Sequence, residues 1–124
     1  MQNNAVTITC IKSDAKGDSY FEDVSIPLRS VQIVANTPEL FVSPSQAAHH
    51  LFAINPRHWE GEMHVAPHRQ YVIILSGCLE VTTSKGDTRQ FKTGNIVLAE
   101  DVTGRGHKTV TIGDEPVLSS VVQV

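Results

Sequence analysis

The sequence predicts an all-β chain built as a sandwich or a barrel, and three observations point there. Apolar runs are short and recur with turn residues between them, roughly every eight to ten residues. No stretch keeps a helical period for more than two turns. Two strand-like runs, 79–83 and 88–91, flank Ser84-Lys85-Gly86-Asp87. There Gly86 supplies the positive φ that a short hairpin loop requires.

In chain order the expected strands are 6–11, 20–26, 31–35, 51–54, 63–66, 70–75, 79–83, 88–91, 96–99, 108–112 and 117–122. Each is a short run rich in apolar or β-branched residues. Gly77 and the cluster Thr93-Gly94-Asn95 mark the connections beside the hairpin. Tyr71-Val72-Ile73-Ile74-Leu75 does not alternate, so both of its faces must be covered. One face is expected against the interior, the other against a second sheet or a second subunit. The stretch 36–50 differs in kind: Asn36, Pro38, Ser43, Pro44, Ser45 and Gln46 suit a long irregular loop, with one helical turn near 46–50.

At 124 residues the chain reads as a single domain spanning 1–124. Its folding hides roughly two-thirds of the unfolded surface, so its core needs no staple. Hydrophobic residues make up 40% and charged residues 19%, which argues against a disordered chain. The net charge is −3, with ten basic residues scattered among thirteen acidic ones. Nucleic acid is therefore not an expected partner, because a phosphate backbone is held by clustered Lys and Arg. Cys10 and Cys78 each sit in an apolar run and read as free thiols. Met1-Gln2-Asn3-Asn4 is polar and unlike a secretory start. The longest apolar run is far shorter than the about 20 residues a bilayer requires. A cytoplasmic protein without a membrane partner is expected. With no Gly-rich phosphate loop, Gly-x-Ser-x-Gly elbow or zinc-ribbon Cys pairs, a nucleotide cofactor, serine-esterase chemistry and structural zinc lack support.

Chemistry-bearing residues gather in two segments. The first runs Gly61-Glu62-Met63-His64-Val65-Ala66-Pro67-His68-Arg69-Gln70 and on to Gly77; the second runs from Gly94 through Gly104-Arg105-Gly106-His107. Together they resemble the two signature motifs of the cupin family. The family's first motif reads His, one residue, His, three or four residues, Glu, six residues, Gly. Here the same frame holds His64, Ala66, Gln70 and Gly77, so the spacing is kept and two ligand types have changed. The second motif matches more loosely. Glu100 stands where a Pro is usual, two extra residues precede Gly104, and Thr111 stands where an Asn is expected. The resemblance covers residues 60–112, with the segment 1–35 adding strands to the sheets or to a subunit interface.

That resemblance implies a double-stranded β-helix, or jelly-roll barrel, with a pocket at one end. It also implies a divalent transition metal (Fe, Mn, Zn, Ni or Cu) held by His64, Gln70 and His107. Replacing a carboxylate by Gln70 removes a charge, and Ala66 removes a donor. Either the metal is absent, or His68 supplies a third nitrogen and water fills the open positions. If the chain stays extended past Pro67, then His64, Ala66, His68, Gln70, Val72 and Ile74 share one face, and three polar side chains ring the mouth over an apolar floor. The competing reading makes His64 and His107 hydrogen-bonded histidines of a metal-free barrel, with Gln70 a satisfied amide.

Trp59, the only tryptophan, is expected as a lid over the mouth or a plug in the core. Asp101 is expected first as a cap of its own turn. Its alternatives are a hydrogen bond that orients His107, an ion pair with Arg105, or a general base. Arg69 is expected to point away from Gln70 and out of the barrel. His49, His50 and His58 are expected in loops without a role. Two function classes follow: a metal-dependent enzyme of the oxygenase or isomerase type, or a non-catalytic small-molecule binding module. The resemblance also implies a homodimer, which similar chains commonly form, and the doubly apolar stretch 71–75 with the apolar start 5–11 gives a physical reason for pairing.

Overall fold

The computed structural model describes residues 4–124; Met1–Asn3, the polar start weighed above, lie outside them. Every regular element among the described residues is a β-strand. The strands are β1 (Ala5–Ser13), β2 (Ser19–Pro27), β3 (Arg29–Val31), β4 (Leu40–Val42), β5 (His49–Asn55), β6 (Gln70–Ser76), β7 (Cys78–Thr83), β8 (Thr88–Lys92), β9 (Ile96–Ala99), β10 (His107–Thr111) and β11 (Val117–Gln123). A six-stranded sheet in the order β2-β1-β9-β6-β11-β5 faces a three-stranded sheet in the order β10-β7-β8, and β3 pairs with β4 alone. The ladders are antiparallel apart from β1 with β9. Apart from the β1–β2 hairpin, neighbours in the large sheet are far apart in sequence, so the chain crosses repeatedly between layers, as in a jelly-roll barrel.

Between the sheets lies one core. Ile11, Ile74, Leu79, Val81, Phe91, Val97 and Val117 are buried together, with Phe21 and Val72 packed against them. Phe21 meets Phe91 edge to face at 6.1 Å, a geometry aromatic quadrupoles favour. Period-2 alternation decides which residues take part. In β11, Val117, Ser119 and Val121 turn inward while Leu118 and Ser120 turn out.

Strand β6 lies between β9 and β11, which explains its unbroken apolar run. Val72 and Ile74 belong to the core, whereas Tyr71 joins a second apolar cluster around Ile8, Cys10 and Leu98 on the sheet's other side. Register puts Cys10 beside Leu98, Leu98 beside Tyr71, and Tyr71 beside Val122.

Several expected elements are corrected. The strand expected at 31–35 is Arg29–Val31, and a strand passed over, Leu40–Val42, pairs with it. Residues 36–50 therefore hold the far arm of a hairpin and the start of β5. They form no helical turn near 46–50, because His49 and His50 pair with Gln123 and Val122 of β11. The stretch 63–66 is extended but is no strand. It meets β10 through the isolated bridges Glu60↔Val110 and His64↔His107, and Pro67, which has no N–H, ends the pairing.

Candidate functional site

Backbone pairing sets the two histidines side by side. His64 N–H donates to the His107 carbonyl and His107 N–H to the His64 carbonyl, both at 3.0 Å; Gly61 N–H donates to the Thr109 carbonyl at 2.9 Å. The imidazole centroids stand 5.6 Å apart with the rings tilted by 39°. Gly106 makes this approach feasible. Its φ is 78°, and a Cβ there would overlap the His64 carbonyl.

The loop before His107 is fastened to the β1–β2 turn. Ser19 Oγ donates to the Gly106 carbonyl at 2.6 Å and Arg105 N–H to the Gly17 carbonyl at 2.8 Å. Arg105 also bonds Asp18 Oδ1 at 3.0 Å. The second motif is thus held by contacts near 90 residues away in sequence, which spacing alone could not reveal.

Each ring is tied at Nδ1. His64 Nδ1 is 2.7 Å from the Glu62 carbonyl, and His107 Nδ1 is 2.6 Å from Asp101 Oδ2. The Asp101 side chain is 0% exposed and that of His107 12%. Asp101 Oδ1 has no hydrogen-bond partner, so the carboxylate's one side-chain contact is the imidazole. The expectation that Asp101 caps its own turn is therefore corrected. Its carboxylate orients His107 because its own carbonyl, accepting from Ala66 N–H at 3.0 Å, draws residue 101 under the histidine segment. Nor does it pair with Arg105, which Asp18 has taken.

Both rings line a chamber sunk into the barrel. Its walls are Ile11, Val72, Ile74, Leu79, Phe91 and Val97, and its polar groups are His64, Gln70, His107 and Thr109. The chamber has a volume of about 90 Å³, and it continues into a shallower mouth of about 340 Å³ that Trp59 borders. Trp59 is half-buried at that rim and lies over Gly61, so it shapes the entrance and is no plug of the core.

Of the expected residues, His64, Gln70 and His107 share the chamber, Trp59 edges its mouth and Asp101 lies behind His107. His68 does not join them. It is exposed and lines neither cavity, because 67–69 bend at Pro67 and break the parity an extended strand would keep. Arg69 points outward onto Glu100, Nε to Oε2 2.8 Å. Sequence reasoning missed Thr109, Asn55, Ser119 and Gln123, all of which line the mouth. For Ser119 and Gln123 a signal existed, since they alternate with Val117 and Val121 on one face of β11.

The donor set fits a metal ion only in part. Two imidazoles each keep Nε2 free, and Gln70 adds a neutral amide oxygen. Ala66, at the family's second His position, is buried with its methyl on the chamber wall and has no donor to give. Among the described residues no three His, Cys, Asp or Glu side chains converge as a metal cluster.

No family model matches the chain. No curated protein matches it. Among solved structures, the cupin domain of Schizosaccharomyces pombe Cnp3 aligns over 99% of this chain and 86% of its own, at a TM-score of 0.49 and 14% identity. By its own strand order and core, the chain is an all-β jelly-roll barrel, the fold that its two motifs imply.

Proposed function

We propose that the chain binds a small, largely apolar molecule in the barrel-mouth chamber, with His64, His107 and Gln70 meeting its polar end. What carries this reading is the pairing of an aliphatic and aromatic chamber with a few convergent polar groups at one end, the usual composition of a small-molecule site. No reaction is assigned. The test is an NMR titration of the full chain with compact apolar probes such as toluene and indole. Shifts should concentrate on Val72, Ile74, Leu79 and Phe91; shifts scattered over the surface, or none, would refute the reading.

A divalent transition metal is the second reading, favoured by one observation: both imidazoles are oriented through Nδ1, as metal-bound histidines commonly are. His64 and His107 would hold the ion through Nε2, with Gln70 as a weak third donor, and the ion would supply Lewis acidity. Elemental analysis of protein purified without chelator or nickel resin decides it. Near-stoichiometric metal that disappears in His64→Ala and His107→Ala supports the ion, and sub-stoichiometric metal in the unaltered chain removes it.

The partner we propose is a second copy. On the outer face of the six-stranded sheet the Ile8, Cys10 and Leu98 cluster is already covered within the chain, but on edge strand β5 Phe52 and Ile54 are 70% and 66% exposed. An apolar face of this kind is a liability unless covered. Free thiols at Cys10 and Cys78 suit a reducing compartment, and we place the protein in the cytoplasm on that ground.

A further inference from the structure

We infer that the chamber selects molecules presenting a hydroxyl donor, phenols or alcohols on a compact apolar body, over molecules whose polar group only accepts. This rests on the small-molecule reading above and adds the chemical class.

The argument begins with the hydrogen positions. A neutral imidazole has one N–H and one lone pair. A carbonyl only accepts, so the 2.7 Å contact from His64 Nδ1 to the Glu62 carbonyl places the hydrogen of His64 on Nδ1. A carboxylate oxygen likewise accepts from the ring, so the 2.6 Å contact to Asp101 places a hydrogen of His107 on Nδ1, and in the neutral ring Nε2 keeps its lone pair. Both Nε2 atoms are left as acceptors, and no described protein group donates to either. Both histidines line the chamber, and the ring edge opposite each tethered Nδ1 is the one that bears Nε2.

The polar end of the chamber thus holds two adjacent acceptors. Gln70 and Thr109 can each donate or accept. No Lys or Arg lines the chamber or its mouth, so a carboxylate would find no fixed cation. A carbonyl oxygen would face two lone pairs. A hydroxyl satisfies one Nε2 by donating, and its own oxygen can accept from Gln70 or Thr109. The body of the ligand lies against Val72, Ile74, Leu79 and Phe91. The chamber encloses about 90 Å³, less than the roughly 150 Å³ of an apolar cavity that admits a whole benzene ring, so a single ring or short branched chain enters in part and extends into the mouth. Asp101 is then a positioning residue: it sets the tautomer of His107 without reaching the ligand.

The test compares phenol, benzaldehyde and toluene on the full chain, with affinities read from amide shifts of the chamber residues. Phenol should bind about tenfold more tightly than benzaldehyde, the value of one net hydrogen bond. Long-range ¹⁵N–¹H spectra should show Nε2 of His64 and His107 without hydrogen. Asp101→Asn, which can donate to Nδ1 and so move the imidazole hydrogen to Nε2, should narrow or reverse the phenol preference while apolar binding persists. The wild-type comparison stands apart from how that variant folds. Benzaldehyde or toluene binding as tightly as phenol, or hydrogen found on Nε2, overturns the inference and leaves the small-molecule reading intact. If no probe moves any chamber resonance, both readings fall.

Discussion

Gly106 and Asp101 are the residues on which the geometry of the site turns, and neither binds anything itself. At Gly106 a side chain would meet the His64 carbonyl in a left-handed backbone conformation. We predict that Gly106→Ala lowers stability by on the order of 2 kcal/mol or more in urea denaturation and uncouples the His64–His107 bridge. Unchanged stability would show that the loop has room to move. Cys10 yields a pH prediction. Burial first, and then the nearby Glu100, pushes its thiol up to about 11 from 9.0. Between those values the folded chain keeps a proton the unfolded chain has lost, so stability falls as pH rises from about 9 towards 11. The same burial should leave Cys10 slow toward thiol reagents at neutral pH, and Cys10→Ser should flatten the alkaline fall. At this scale the spacing of the first motif was informative for His64 and Gln70. It put His68 at the mouth only on the condition that the chain stays extended past Pro67, and Pro67 bends it. The partnership of Asp101 with His107 was one alternative among several, since it depends on how the glycine-rich loop between them folds.

Elements rather than single residues decide what covers each sheet. The hairpin β7–β8 was legible because its loop has turn chemistry and its strands alternate; Phe91, turned inward from β8, is 5% exposed. Phe91→Ala should cost about 3–5 kcal/mol by denaturant unfolding, since a ring shared by core and chamber wall leaves a cavity. A loss below 1 kcal/mol would mean the two sheets collapse onto the gap. The outer face makes a different prediction. Phe52 and Ile54 project from edge strand β5 and make little of the core, so Phe52→Glu with Ile54→Glu should shift light-scattering mass from two chains to one while unfolding stays nearly unchanged. A monomeric unaltered chain would refute the pairing. The doubly apolar run at 71–75 foretold that β6 is central. Strand β4 gave no such signal, being three residues set among prolines and serines, and its pairing comes from β3 alone.

For the whole molecule, the all-β class was readable because turn residues punctuate short apolar runs along the chain. The crossing order of the six-stranded sheet was not, because contacts such as β1 with β9 join segments whose sequences show no mark of one another. That order makes the site: it brings β6 beside β11 and lays the chain before Pro67 along β10, so that polar groups from 64, 70, 107 and 109 meet over one apolar floor. The most direct measurement of that convergence is a crystal structure of the full chain soaked with phenol. The account predicts a ring between Val72, Leu79 and Phe91, with its hydroxyl about 3 Å from Nε2 of His64 or His107. Imidazoles turned apart, with Nε2 of each in bulk water and no density in the barrel, would contradict it.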